Sequence, residues 1–209
     1  NLEGFNIRKI DDQLLLSLNF YQTNQENEDN KTIPTVFPKM KYFSGYQNIF
    51  GYQSHSTYEF YNIFREKSSL THAKKQQKVS HKYNFKREIV NFNSKITLDG
   101  EIYNQVFNTE KKLIYGNNYK TGSYYRFFPM LGISSESPFK LKKYSPNLTF
   151  NPSLKIVVTP GISNSSNLSN EDSTNNDFTI DNIFRLNRYS GNDKMDNSKR
   201  ITLGLSAYN

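Results

Sequence analysis

Apolar and polar positions alternate with period two along much of this chain, the signature of strands with one apolar and one polar side. In residues 79–89, Val79, His81, Tyr83, Phe85 and Ile89 share one parity, and Ser80, Lys82, Asn84, Lys86 and Glu88 share the other. Arg87 interrupts the apolar row near the strand end, where a long side chain can snorkel to an interface. Residues 92–106 repeat the pattern, with Phe92, Ile96, Leu98, Ile102 and Val106 against Asn93, Lys95, Thr97, Asp99, Glu101 and Gln105. Only residues 91–94 separate the two, which predicts a tight hairpin. Residues 148–158 set Leu148, Phe150, Pro152, Leu154, Ile156 and Val158 against Asn147, Thr149, Asn151, Ser153 and Lys155. A last strand at 200–208 sets Ile201, Leu203, Leu205 and Ala207 against Arg200, Thr202, Gly204 and Ser206. Weaker alternation at 13–23, 35–46, 52–65 and 124–136 brings the predicted total to about eight strands. No helix of normal length is predicted, because the Lys-rich stretch around residue 74 lacks an apolar stripe.

The links carry a second regularity. Long polar links at 24–32, 66–77, 108–122 and 161–199 alternate with short ones at 47–51, 91–94 and 137–143. A membrane barrel with short periplasmic turns on one rim and long loops on the other produces this pattern. A sandwich with Greek-key links has no reason to alternate so regularly. The strand at 148–158 also has the length, about 9 to 11 residues, that a tilted strand needs to cross a bilayer.

Composition narrows the classes. Mean hydropathy of −0.77 and the lack of a long apolar run exclude a transmembrane helix. They leave a β-barrel open, since only alternate residues of a barrel strand face lipid. Fifteen Tyr and 16 Phe without Trp suit the aromatic girdles of such barrels. The net charge of +8 gathers around Lys67, Lys74, Lys75, Lys78, Lys82, Lys86 and Arg87. No recognition helix or stacking motif accompanies this cluster, so a nucleic-acid partner is not expected. Cysteine is absent, which removes disulfides and thiol chemistry. The first residue is Asn and no signal peptide is present, so the chain is expected to be a piece of a longer or processed one.

Catalytic constellations are poor. His55, His72 and His81 stand alone, and no nucleophile and base are placed together, so neither an enzyme nor a cofactor is expected. Glu171, Asp172, Asp177 and Asp181 offer carboxylates for a divalent cation but lack calcium-loop spacing, so a solvated acidic loop is the expectation and no metal is assigned. Arg185 and Arg188 offer these carboxylates an alternative partner.

Residues 170–191, NEDSTNNDFTIDNIFRLNRYSG, continue into NDKMDNSKRITLGLSAY. This stretch resembles the LptD family of lipopolysaccharide-assembly proteins, which carry Asn-Glu-Asp-Ser, a Leu-Phe, an Arg-Phe-Ser-Gly-Tyr-Asp-Arg run and then a strand beginning with Arg. Here these fall at 170–173, at Ile183 and Phe184, at 188–194 and at Arg200. Departures are Tyr189 for Phe, Asn192 for Tyr, Lys194 for Arg and Asp196 for Glu. RFFPMLGISSESPF at 126–139 is similar to the family's Arg-Phe-Tyr-Pro, Leu-Gly and Pro-Phe pattern, and Pro152 falls where Leu-Glu-Pro is frequent.

The resemblance implies an all-β fold, an antiparallel transmembrane β-barrel segment of about eight strands forming a curved open sheet. Residues 1–209 would be part of one incomplete barrel domain, with no second domain. It implies lipopolysaccharide transport to the outer leaflet of a Gram-negative outer membrane, with lipopolysaccharide, an LptE-like lipoprotein plug and periplasmic bridge proteins as partners. On this reading Glu171, Asp172, Phe184, Arg188, Ser190, Gly191, Asp193 and Arg200 form a motif loop that packs over the barrel mouth or into its lumen. Arg126, Pro129, Gly132 and Pro152 mark the motif strands, and each proline reads as a local bulge or bend because the family's proline-loosened gate lies elsewhere. Lys82, Lys86, Lys95, Asp99, Glu101 and Lys155 would line the lumen, with contact between lysines and lipid phosphates as one expectation. The alternatives are another outer-membrane barrel, porin or active transporter, and a soluble β-sandwich binding module; flanking sequence and membrane extraction separate them.

Overall fold

A computed structural model describes residues 2–3, 7–9, 12–22, 29–140, 148–173, 179 and 182–208, with side chains from residue 12 onward. Asn147, Asp177 and Asp181 lie outside the described residues, as does most of the predicted link at 24–32. The strands are β1 (Leu2–Glu3), β2 (Ile7–Lys9), β3 (Asp12–Phe20), β4 (Thr35–Phe43), β5 (Gln47–Ile49), β6 (Tyr52–Phe64), β7 (Ala73–Asn91), β8 (Ser94–Tyr115), β9 (Asn118–Glu136), β10 (Phe139–Lys140), β11 (Thr149–Val158) and β12 (Arg200–Tyr208). No α-helix occurs among the described residues.

All pairings are antiparallel and run between chain neighbours, giving one open, curved sheet. The short strands are pieces of longer ones: β1 and β2 both pair with β3, β4 and β5 with β6, and β9 and β10 with β11. Each of the eight predicted strands is present, and β1 with β2 adds a pairing on the outer edge of β3. The hairpins between β5 and β6 and between β7 and β8 close through two residues with positive φ, Phe50 at 52° and Gly51 at 79°, and Phe92 at 46° and Asn93 at 61°. That backbone hand matches strand twist and is favoured in two-residue hairpins.

Two of the long links expected from the sequence, 66–77 and 108–122, are shorter, because β7 already begins at Ala73 and β8 and β9 extend into the second. Residues 108–122 are not a long polar link: β8 runs on to Tyr115 and β9 starts at Asn118, with a turn at Gly116 and Asn117. The 22 residues of β8 reach about 70 Å at about 3.3 Å per residue, far beyond what a bilayer crossing needs. At residues 108–112 both faces of the strand are polar, so the alternation that reveals the lower half is lost there. The same reason hid residues 73–78 of β7, where Lys75 and Gln77 occupy the parity that Val79 continues.

The pairings fix which side chains share a face. Phe60, Val79, Val106 and Tyr125 lie in one cross-strand row, and Leu154, Ile156, Ile201, Leu203 and Leu205 belong to the same outer face. Leu131 is 55% exposed and Leu203 78%, so this apolar face is left uncovered by the rest of the chain. The opposite, inner face holds the core. Tyr103, Phe128, Met130 and Val157 pack there against Leu186 and Met195 of the 159–199 loop, and Val36, Tyr61 and Ile63 form a second cluster.

Neither motif proline sits in a bulge: Pro129 pairs with Ile102 and Pro152 with Leu205 in unbroken register, and it is on the opposite edge that pairing stops. The β9 to β11 ladder ends at Leu131 with Val158, short of Pro129. Pro152 lies opposite the break between β9 and β10, where its carbonyl accepts a 3.2 Å bond from the Ser137 amide. A residue without an N–H is tolerated where the ladder is already interrupted.

Candidate functional site

The loop leaves β11 at Val158 and re-enters the sheet at Arg200, which pairs with Val157. Between these points its described residues lie on the inner face of β6 to β9, anchored at four places.

The first anchor is Gln76, fully buried on β7. Its amide donates to the Ser169 carbonyl at 3.2 Å and accepts from the Ser169 amide at 3.1 Å, so one side chain mimics a strand partner. It also donates to the Tyr61 hydroxyl and accepts from Thr109, while the Ser169 hydroxyl accepts from the Ala73 amide. The second anchor is Lys78, also fully buried, whose Nζ lies 2.7 Å from Asp193, 3.4 Å from Asp172 and 3.8 Å from Glu59. Asp193 further accepts from the Tyr61 hydroxyl and from the amides of Glu171 and Asp172. A buried charge persists only with this density of partners.

Arg126 on β9 forms the third. It donates to the Gln105 side chain and to the carbonyls of Asn192 and Asp193 at 2.7 Å each, above the Phe107 ring. The fourth is Arg65, which grips Glu171 through two bonds of 3.0 and 2.5 Å and donates to the Ala73 carbonyl.

Inside the loop, Asp172 accepts from the amides of Asn192 and Asp193, folding 170–173 against 191–194. Gly191 makes that contact sterically feasible, since a Cβ there would strike the Asp172 carbonyl and carboxylate. Arg188 and Arg200 both pair with Asp196, and Arg200 also donates to the carbonyls of Arg185 and Leu186. Phe184 rests on Gly204, where a Cβ would lie 2.7 Å from the ring. Among the described residues, then, the acidic pair Glu171 and Asp172 meets Arg65 and Lys78 of the sheet, while Arg188 serves Asp196. No group of three His, Asp or Glu side chains among the described residues is placed to hold a metal ion.

Below the loop the same face is wetter. Lys82 pairs with Glu101 at 2.9 Å, Lys86 and Lys95 share Glu88 at 2.5 and 3.0 Å, and Lys155 meets Asp99 at 2.6 Å. Gly132 leaves room for that last pair, as its Cβ would crowd Asp99, Leu186 and Lys155. Two cavities of about 520 and 430 Å³ open here, sharing Asp99, Lys155 and Phe184 as a common wall. Ser190 and Tyr189 line the one nearer the loop.

Electrostatics follow the packing. Burial raises the Glu171 carboxyl, but the His72 imidazole at 3.6 Å, the Arg65 guanidinium and the Ser169 hydroxyl outweigh it and hold it at about 2. Asp172 is likewise lowered: burial opposes ionisation, and Lys78 with the amides of Asn192 and Asp193 overcomes it. Burial pushes the Asp193 carboxyl up, and repulsion from Asp172 adds to this beyond what the Lys78 ammonium restores.

The motif residues were visible in the sequence, but their wall partners Arg65, Gln76, Lys78 and Gln105 were not. The available signal was parity: Lys78 shares it with Lys82 and Lys86, once β7 is allowed to begin before Val79.

An antiparallel meander with an apolar outer face and a polar loop bolted to its inner face has the construction of a β-barrel wall with an inward-folded loop. The family model described as LptD, LPS transport system D, matches residues 6–208, and the chain belongs to that family. No curated protein matches the sequence.

Proposed function

We propose that this chain is part of an outer-membrane barrel that receives lipopolysaccharide from the periplasm and releases it into the outer leaflet. Membership of the lipopolysaccharide-transport family is the observation that carries this reading. The two faces support it physically. Sugars and phosphates need a polar route, which the cavities beside Lys82, Lys86, Lys95, Asp99, Glu101 and Lys155 offer. Acyl chains need an apolar one, which the outer rows offer. Residues 1–209 belong, on this reading, to one barrel domain completed by strands other than β1–β12. A lipoprotein inside the barrel and periplasmic bridge proteins upstream complete the assembly, and the 159–199 loop serves closure and structure rather than chemistry. Depleting the whole protein in its Gram-negative host should lower surface lipopolysaccharide; unchanged surface lipopolysaccharide sinks the reading.

A further inference from the structure

The lysines of the inner face are compensated. Of the lysines lining the larger cavity, Lys86 and Lys95 share Glu88 at its edge and Lys155 pairs with Asp99, while Glu136, the ladder partner of Lys95, also lines it: three cations beside three carboxylates. Such a wall has no net charge with which to attract a phosphate. What it offers instead is a set of hydroxyls and amides, Thr97, Ser134, Ser153 and Asn151, with the Phe184 ring on one side. Its volume of about 520 Å³ falls within the roughly 300–1,000 Å³ typical of small-molecule sites.

Two lining side chains carry an unmet demand. Asp99 gives Oδ2 to Lys155, but its Oδ1 has no hydrogen-bond partner among the described residues, and neither has Asn151 Oδ1. Both atoms are shielded from water and both accept. An orphaned buried acceptor costs about 1–3 kcal/mol, so a small rotation toward an incoming donor is favoured. A phosphate oxygen accepts as well and cannot meet that need. A sugar hydroxyl donates and can.

We infer that this cavity is a subsite for an uncharged sugar unit, with hydroxyls donating to Asp99 and Asn151 and a ring face against Phe184. The inference rests on the transport reading for its source, a sugar of the lipopolysaccharide headgroup; a free saccharide offers the same chemistry. Because Asp99, Lys155 and Phe184 also wall the cavity nearer the loop, a longer saccharide can continue from one cavity into the other.

The test uses the whole protein in detergent with a dephosphorylated core oligosaccharide as probe, followed by saturation-transfer NMR. Binding should change less than about twofold between roughly 50 and 500 mM NaCl, a range in which the Debye length falls well below 10 Å. Inorganic phosphate should not compete. Phe184→Ala and Asn151→Leu should each weaken binding about tenfold, the size of one good contact, and the salt and phosphate tests on the unaltered protein stand even if a variant misfolds. Competition by phosphate, or loss of binding with salt, overturns the inference. So does an oligosaccharide that fails to bind a protein still able to deliver lipopolysaccharide. Binding as expected, in a protein whose depletion leaves surface lipopolysaccharide normal, supports the subsite, assigns it to a free saccharide and sinks the transport reading instead.

Discussion

Lys78 and Lys86 stand on the same strand and the same face, yet they live in different media. Lys78 is fully buried beneath the loop with three carboxylates within 4 Å, whereas Lys86, eight positions further along β7, is 48% exposed and leans on Glu88 alone. Strand parity assigns both to the inner face; depth is decided by what the 159–199 loop covers. The contrast separates residues that hold the loop from residues that merely line the space below it.

Asp193→Ala attacks the buried side hardest. It takes the nearest carboxylate from the Lys78 ammonium, leaving only Asp172 at 3.4 Å and Glu59 at 3.8 Å, and breaking a buried pair costs up to about 3–5 kcal/mol. The loop should then lose its protection against protease in the assembled protein; an equally protected loop would mean that Lys78 holds it no more firmly than Lys86 does.

Acid probes the same region more gently. A carboxyl held below its unfolded value contributes stability above that value and loses it as pH falls. Glu171 drops from 4.5 to about 2, so its contribution is complete above about pH 4.5 and gone near pH 2, about 3 kcal/mol in all. Asp193, shifted upward, works in the opposite sense and offsets part of this. Amide-exchange protection of the loop should fall across that window, and Glu171→Gln should flatten the dependence.

The open side supplies the smallest effect. Lys86→Gln removes a half-exposed ion pair worth about 0–1 kcal/mol, so the thermal midpoint should barely move. A shift as large as that of Asp193→Ala would mean that the lower lysines carry structure as well.

Alternation located every long strand because one outward apolar side chain in two leaves a plain signal between residues 79 and 106 and again at 148–158. It failed at residues 73–78 and 108–112, which are polar on both faces, and a register shift between Thr109 and Lys112 hides the parity of the apolar residues that follow. The motif loop could be recognised from its own residues, but its bonding could not. Gln76 and Lys78 come from β7, Gln105 from β8 and Arg65 from just past the end of β6, and only the cross-strand register of these strands brings them together at residues 169–193.

The loop's two ends also matter for how the structure can be built. Val157 and Arg200 are ladder partners, so the chain departs from and returns to neighbouring places on the sheet. The excursion is therefore a closed side trip: the hairpin of β11 and β12 can zip with the loop still unplaced, and the loop can seat afterwards as a separate event. Seating the loop, early or late, leaves the β11–β12 ladder untouched.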